Sequence, residues 1–363
     1  WLDVEPKTTV EEEEVFSREL GFKESLTGIY IKMTSTDLYA RNLSYGFLDI
    51  LGQRYHINDK LNYEDELWYT FPSTKTQEYT DKIWSEMYNV IANVNNLLYY
   101  CDKNKHVFTT EHYYEIIKGE ALGLRAFLHF DLLRMFGPIY KDNSTAKRIV
   151  YRTEFNREPK EMQPSNVVVD SIIADLKKAE MLLKGSDTLK FEFPKTENEE
   201  KRMDVNDAFL VYRHMRMNLY AVKAMLARVY LYAGNKTEAA NYANQVIESK
   251  HFELINDATD ILRSKEILFS IYVDKFDLQV AEDITTEKEY YVDNENFLYE
   301  IFDVVHDGTN DLRVREGVAF DYGADGIIMR KYKQESLWPS TKGTIVLIRL
   351  AEMYYILAEC AAT

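Results

Sequence analysis

The sequence predicts a mainly α-helical protein built from helical hairpins, with long irregular loops and a few short strands. Three observations carry this. Apolar residues recur at i, i+3 and i+4 through much of the chain, the spacing that lines one face of an α-helix. Gly, Pro and Asn punctuate these runs where a helix must stop and reverse. One short segment occurs twice: Leu226-Ala227-Arg228-Val229-Tyr230 is echoed by Leu350-Ala351-Glu352-Met353-Tyr354.

The elements follow in order. Glu11 to Glu14 form a polar opening turn, and Phe16 to Met33 carry apolar residues at helical spacing. From Gly46 to Ser73 the periodicity lapses into a stretch rich in Tyr, Asn and Asp, ending on the turn signal Phe71-Pro72-Ser73. It reads as a long decorated loop, a class that is uncommon unless functional. Ile83, Met87, Val90, Ile91, Val94, Leu97 and Leu98 then share one helical face. A second helix spans about Thr110 to Phe136 and stops at Gly137-Pro138, which makes an antiparallel hairpin with the first.

A third helix runs from about Pro164 to Leu183, with Gly185 as its C-terminal stop. Residues 186–206 are charged, contain Pro194 and read as a surface excursion. Helices resume over about Leu219 to Ala233 and Thr237 to Ser249. Residues 250–340 change character, with β-prone pieces such as Ile267 to Val273 set between Asp, Asn and Gly. A last helix is expected to begin near Thr344. The chain is thus expected to form one domain over residues 1–363. Its scaffold covers about 82–249 and 344–363, and its loop-rich regions about 46–80 and 250–343.

The pair at 219–249 matches a tetratricopeptide unit. Leu226, Ala227, Tyr230, Gly234 and Ala239 fall at the spacings of that motif's Leu, small residue, Tyr, turn Gly and Ala. Lys223 stands where the motif has its first Trp. The two copies are too far apart for a tandem array.

Bulk properties narrow the function. The 363 residues are 46% hydrophobic, enough for a sizeable core, and no apolar run is long enough to span a bilayer. A net charge of −16 repels phosphate backbones, so nucleic acid is a poor partner, while a neutral ligand is indifferent to it. The two cysteines, Cys101 and Cys360, have neither CxxC nor nearby His, so no zinc site or disulfide framework is expected. The chain opens at Trp1 and stops inside an apolar helical pattern at Cys360 to Thr363, which reads as trimming at both ends. Aromatic residues, with 27 Tyr, 18 Phe and 4 Trp, exceed what a core needs. Exposed flat rings suit stacking against sugar faces or peptide side chains.

Motifs for catalysis are missing: there is no GxSxG, HExxH, P-loop or GxGxxG, and the histidines are scattered. Nothing calls for a cofactor. His129 sits in an apolar helical run and reads as a satisfied core residue. Asp293-Asn294-Glu295-Asn296 lacks the Gly and distal Glu of an EF-hand loop and reads as a solvated turn, not a metal site. Trp84 and Tyr230, on helical faces, are assigned to the core. The binding candidates lie outside the helices. Trp68 and Tyr69 in the 46–73 loop come first, with Arg54 and Tyr55 beside them as hydrogen-bond donors. Trp338 and Tyr322 come second. Rings that cover C–H surface, with a few polar groups for hydroxyls, are the usual composition of a sugar site.

Several stretches together resemble the SusD/RagB family of outer-membrane nutrient-binding lipoproteins of Bacteroidetes. They are Leu2 to Pro6, Trp84 to Leu98, Glu120 to Phe127 with Phe136-Gly137-Pro138, and Ile348 to Glu359. Asp311-Leu312-Arg313 is similar to a DxR feature that often precedes the family's late helix. The resemblance implies a tetratricopeptide-like scaffold whose loops bear the ligand site, with a sugar-stacking ring in the loop before the early helix. It implies a lipid anchor on the outer membrane, facing outward, and a SusC-type TonB-dependent transporter as partner. Members usually continue well past the late repeat helix. Three readings stay open: a glycan-binding protein, a peptide-binding RagB-like protein, and a tetratricopeptide-type interaction scaffold.

Overall fold

A computed structural model describes residues 12–52, 56–57, 64–187, 208–257, 260–276, 290–291, 302, 311–315, 317–323, 326–330, 332, 334 and 342–362. Its helices are α1 (Glu19–Met33), α2 (Phe47–Leu51), α3 (Glu64–Trp68), α4 (Thr74–Lys103), α5 (Tyr113–Phe136), α6 (Ser165–Leu183), α7 (Leu219–Tyr232), α8 (Lys236–Glu248) and α9 (Leu350–Ala361). Four antiparallel strand pairs accompany them. These are β1 (His56–Ile57) with β5 (Tyr290–Tyr291), β2 (Lys147–Ile149) with β3 (Gln163–Pro164), β4 (Ile267–Tyr272) with β8 (Thr344–Arg349), and β6 (Phe320–Gly323) with β7 (Gly326–Met329). The protein is mainly α-helical, as its periodicity predicts.

Each long helix starts and stops for a local reason. The Ser73 hydroxyl accepts from the Thr76 N–H and caps α4, whose predicted face of Ile83, Met87, Val90, Ile91, Val94, Leu97 and Leu98 is buried. Asn218 caps α7 through the N–H groups of Tyr220 and Ala221, and Asn235 caps α8 through Glu238. Gly234, at φ +79°, makes the reversal between α7 and α8. From α4 to α9, each helix packs on the next in the chain. Within the α7–α8 hairpin, Leu226, Ala227 and Ala239 are buried and the Tyr230 ring stacks on Tyr242 at 5.9 Å. The repeat is therefore a packing device. Trp84 and Tyr230 are half-buried and pack on the core rather than inside it.

Helix α5 is buried almost all round, and charged residues inside it are matched. Glu120, fully buried, accepts from the Tyr30 hydroxyl at 2.8 Å and from Arg216 Nε at 3.0 Å, and it pairs with Arg213. Arg213 Nε in turn donates to Asp187 at 2.8 Å. One turn on, Gly123 lets the 208–218 segment close in, since a Cβ there would lie 2.5 Å from Met217 Cγ. Arg125 then donates to both oxygens of Asp175 on α6, at 2.7 and 2.9 Å, and to Asn95 Oδ1 on α4 at 3.0 Å. His129 is satisfied as expected. Its Nε2 accepts from the Arg152 N–H at 2.9 Å, so Nδ1 carries the proton and donates to the Arg125 carbonyl at 2.8 Å.

The structure corrects several expectations. The 46–73 stretch is not wholly a loop: it holds α2 and α3, and Phe47 and Ile50 of α2 are buried. Five-residue helices are too short to register as periodicity. No helix begins at Thr344. Residues Thr344–Arg349 form β8, in register with β4 through Ile345↔Ile271, and the helix starts at Leu350. The run Ile345-Val346-Leu347-Ile348, three of its four residues β-branched, prefers a pleated strand, and β4 offers an edge. Residues 12–15 form a helical turn separate from α1. The excursion from 186 begins inward, with the Asp187 side chain buried against Arg213. Leu2 to Pro6, residues 188–207 and Asp293 to Asn296 lie outside the described residues.

This interior can be tested in two ways. Glu120→Ala leaves Arg213 and Arg216 without their carboxylate and should destabilise the fold by roughly 3–5 kcal/mol in urea unfolding. Burial pushes His129 down to about 3 from its ordinary 6.5. Between those values the unfolded chain binds a proton that the folded chain refuses. Its contribution is thus complete above pH 6.5 and is lost as pH falls toward 3, by up to about 1.4 kcal/mol per unit. Burial lowers His214 to about 3 as well, so urea titrations between about pH 7 and 5 should show the slope of both groups, and His129→Gln should remove about half of it.

Candidate ligand-binding cleft

Sequence alone singled out Trp68 and Tyr69, and both stand at the surface. Trp68, the last residue of α3, is 69% exposed, Tyr69 53% and Phe71 46%. Tyr69 has a left-handed backbone, φ 52°, which a bulky residue adopts only when held there. Its hydroxyl donates to the Leu51 carbonyl at the end of α2, and its ring meets Phe71 edge-on at 6.1 Å. Tyr69 and Phe71 are therefore presented together, with Tyr69 tethered from below and Trp68 exposed beside it in the chain.

Phe71 and Leu51 also line a cleft of about 760 Å³. Its other walls come from distant parts of the chain. The start of α4 supplies Thr76 and Thr80, the end of α5 supplies Phe127, Asp131, Arg134 and Met135, and β8 supplies Ile345, Val346 and Leu347. Tyr39 and Arg228 complete it. The polar groups are tied down. The Tyr39 hydroxyl donates to Asp131 at 2.7 Å, and Asp131 also pairs with Arg134. Burial and then the Asp131 charge push the Tyr39 phenol well above its usual range, so it remains a donor. Arg228 grips Glu352 of α9 through two bonds of 2.6 Å. Tyr332 donates to Asp49 at 3.2 Å. The result is an apolar wall with a few oriented polar groups, which suits an uncharged polyhydroxyl ligand; Phe71 lines it, and Trp68 and Tyr69 are not among its lining residues.

The other predicted residues fare differently. Tyr322, on β6, donates to the Val314 carbonyl at 2.9 Å and packs with Phe320 and Ile327, in a small cluster apart from the main core. It does not line the cleft. Arg54, Tyr55 and Trp338 lie outside the described residues. The DxR feature is a bidentate pair, with Arg313 Nε donating to Asp311 Oδ1 at 2.9 Å and Nη2 donating to Oδ2 at 2.5 Å. Sequence reasoning missed Phe71, used only as a turn signal, and the cleft-lining pair Asp131 and Arg134. Two charges among the apolar residues of the helix's last turns, Leu128 to Phe136, were the available signal.

With this geometry in view, comparison with known proteins is informative. Residues 1–196, over half of the chain, match the SusD-like family, described as starch-binding and associating with the outer membrane. The chain belongs to this family. No curated protein matches it. A candidate sugar binding protein from Bacteroides vulgatus is 24% identical, with a TM-score of 0.68 over 95% of this chain and 74% of that one. A SusD-like carbohydrate binding protein from the same species is 19% identical, with a TM-score of 0.68 over 94% and 71%. A SusD superfamily protein from Bacteroides fragilis is 19% identical, with a TM-score of 0.70 over 95% and 76%. At these identities the likeness is one of fold. Among the described residues no helix is long and apolar enough to cross a membrane.

Because Trp68 is so exposed, Trp68→Ala should leave stability within about 0.5 kcal/mol of wild type, measured by thermal or urea unfolding. That makes it a clean probe of binding.

Proposed function

We propose that this SusD-like protein is a non-catalytic glycan-binding protein of the outer-membrane surface. It captures an oligosaccharide or polysaccharide in the cleft lined by Phe71, with Trp68 and Tyr69 as neighbouring surface rings, and delivers it to a SusC-type TonB-dependent transporter. A lipid anchor would hold it to the membrane. The helical hairpins and the loops belong to one domain, with the hairpins carrying the cleft.

The observation that carries this reading is a cleft of about 760 Å³ lined by Phe71, with the exposed rings of Trp68 and Tyr69 next to Phe71 in the chain. A sugar ring offers a C–H face that an exposed aromatic ring covers, and hydroxyls that seek oriented donors and acceptors. Both are on hand. The family's description as starch-binding and associating with the outer membrane supports the ligand class and the location. The reading as a binding protein is supported by the family's description, which is one of starch binding.

Native affinity electrophoresis against soluble polysaccharides tests the proposal. Wild type should be retarded by at least one neutral glycan, and Trp68→Ala should lose most of that retardation. Free migration of the wild type through every glycan, with a short peptide bound instead, would replace this reading by peptide capture.

A further inference from the structure

A second cleft, of about 880 Å³, opens at the other end of the α4–α5 hairpin. It lies between the C-terminal turns of α4, the N-terminal half of α5 and residues 153–155. By helical periodicity its α5 residues, Lys118, Leu122 and Arg125, are on the opposite face of that helix from Phe127, Asp131 and Arg134 of the first cleft. The two clefts thus face away from each other.

We infer that this second cleft is an independent binding site for a neutral glycan. Two large rings, Tyr99 and Phe155, line it and are 56% and 48% exposed. Asn96, also in the lining, has its side-chain carbonyl oxygen buried with no hydrogen-bond partner among the described residues, an acceptor that a ligand hydroxyl would satisfy. The floor is rigid: Asn95 donates to the Arg152 carbonyl at 3.0 Å while Arg125 holds Asn95 and Asp175. Charge selects the ligand class. The four cationic side chains of the lining are matched by four carboxylates, with Lys118 on Asp102 and Lys103 on Glu13. Such a lining offers no net attraction to an anion or a cation, and it presents many groups to hydroxyls. The inference rests on the reading above only for its ligand class.

Affinity electrophoresis in soluble starch, glycogen and galactomannan, with four forms of the full chain, decides it. The forms are wild type, Trp68→Ala, the double variant Tyr99→Ala/Phe155→Ala, and the triple combination. Both Tyr99 and Phe155 are exposed, so unfolding temperatures should match wild type. Trp68→Ala should retain a smaller part of the retardation, the double variant should lose that smaller part and keep the rest, and the triple variant should migrate freely. A double variant that migrates as wild type, or a Trp68→Ala form with no residual retardation, overturns the second site and leaves the first standing. A wild type that no glycan retards overturns both.

Discussion

A carboxylate sealed from water organises this protein. Glu120 sits inside α5, and a buried charge without partners would be strongly unfavourable. Its partners come from far along the chain: Tyr30 of α1, Arg213 and Arg216 of the segment before α7. Arg125 repeats the arrangement on the same helix, reaching Asp175 of α6 and Asn95 of α4. Between them Gly123 admits Met217. The stretch Glu120 to Phe127, prominent in the family resemblance, is thus a set of steric and electrostatic conditions. An apolar helix would pack here too, but in many registers. Two opposite charges with fixed partners allow one.

The same logic joins scaffold to cleft. Arg228 and Glu352 lie in the two echoing segments, and they bind each other across α7 and α9. Arg228 also donates to the Leu347 carbonyl of β8, at 3.3 Å, and lines the cleft. The repeated segment therefore does more than stack helices: it fixes the strand that forms one wall of the cleft.

Much of the fold was legible in the sequence because long amphipathic helices write their period into it. Ile83 to Leu98, the stop at Gly137-Pro138 and the turn at Gly234 needed only local rules. The failures were local ambiguities settled by distant contacts. Ile345 to Ile348 could serve a buried helix or a strand, and only β4 decides. Helix α2 is stabilised by burial of Phe47 and Ile50, not by length. For the site, a Trp in an aperiodic stretch pointed to a surface ring, and Trp68 is one. The cleft itself was not legible, since positions 39, 131, 228 and 345 meet only after folding. Asp187, read as the start of a surface excursion, became half of a buried pair for the same reason.

On the proposed reading, the posture of Tyr69 bears on how a ligand is told apart from its neighbours. Its backbone is held in the left-handed region and its hydroxyl is tethered to Leu51, so the ring has little rotational freedom left. Covering a ring that is already still forfeits little entropy. The larger entropic loss then falls on the guest. Of two chains offering the same contacts, the stiffer one would be held longer, and selection would act on the flexibility of the linkage between units as much as on the units themselves.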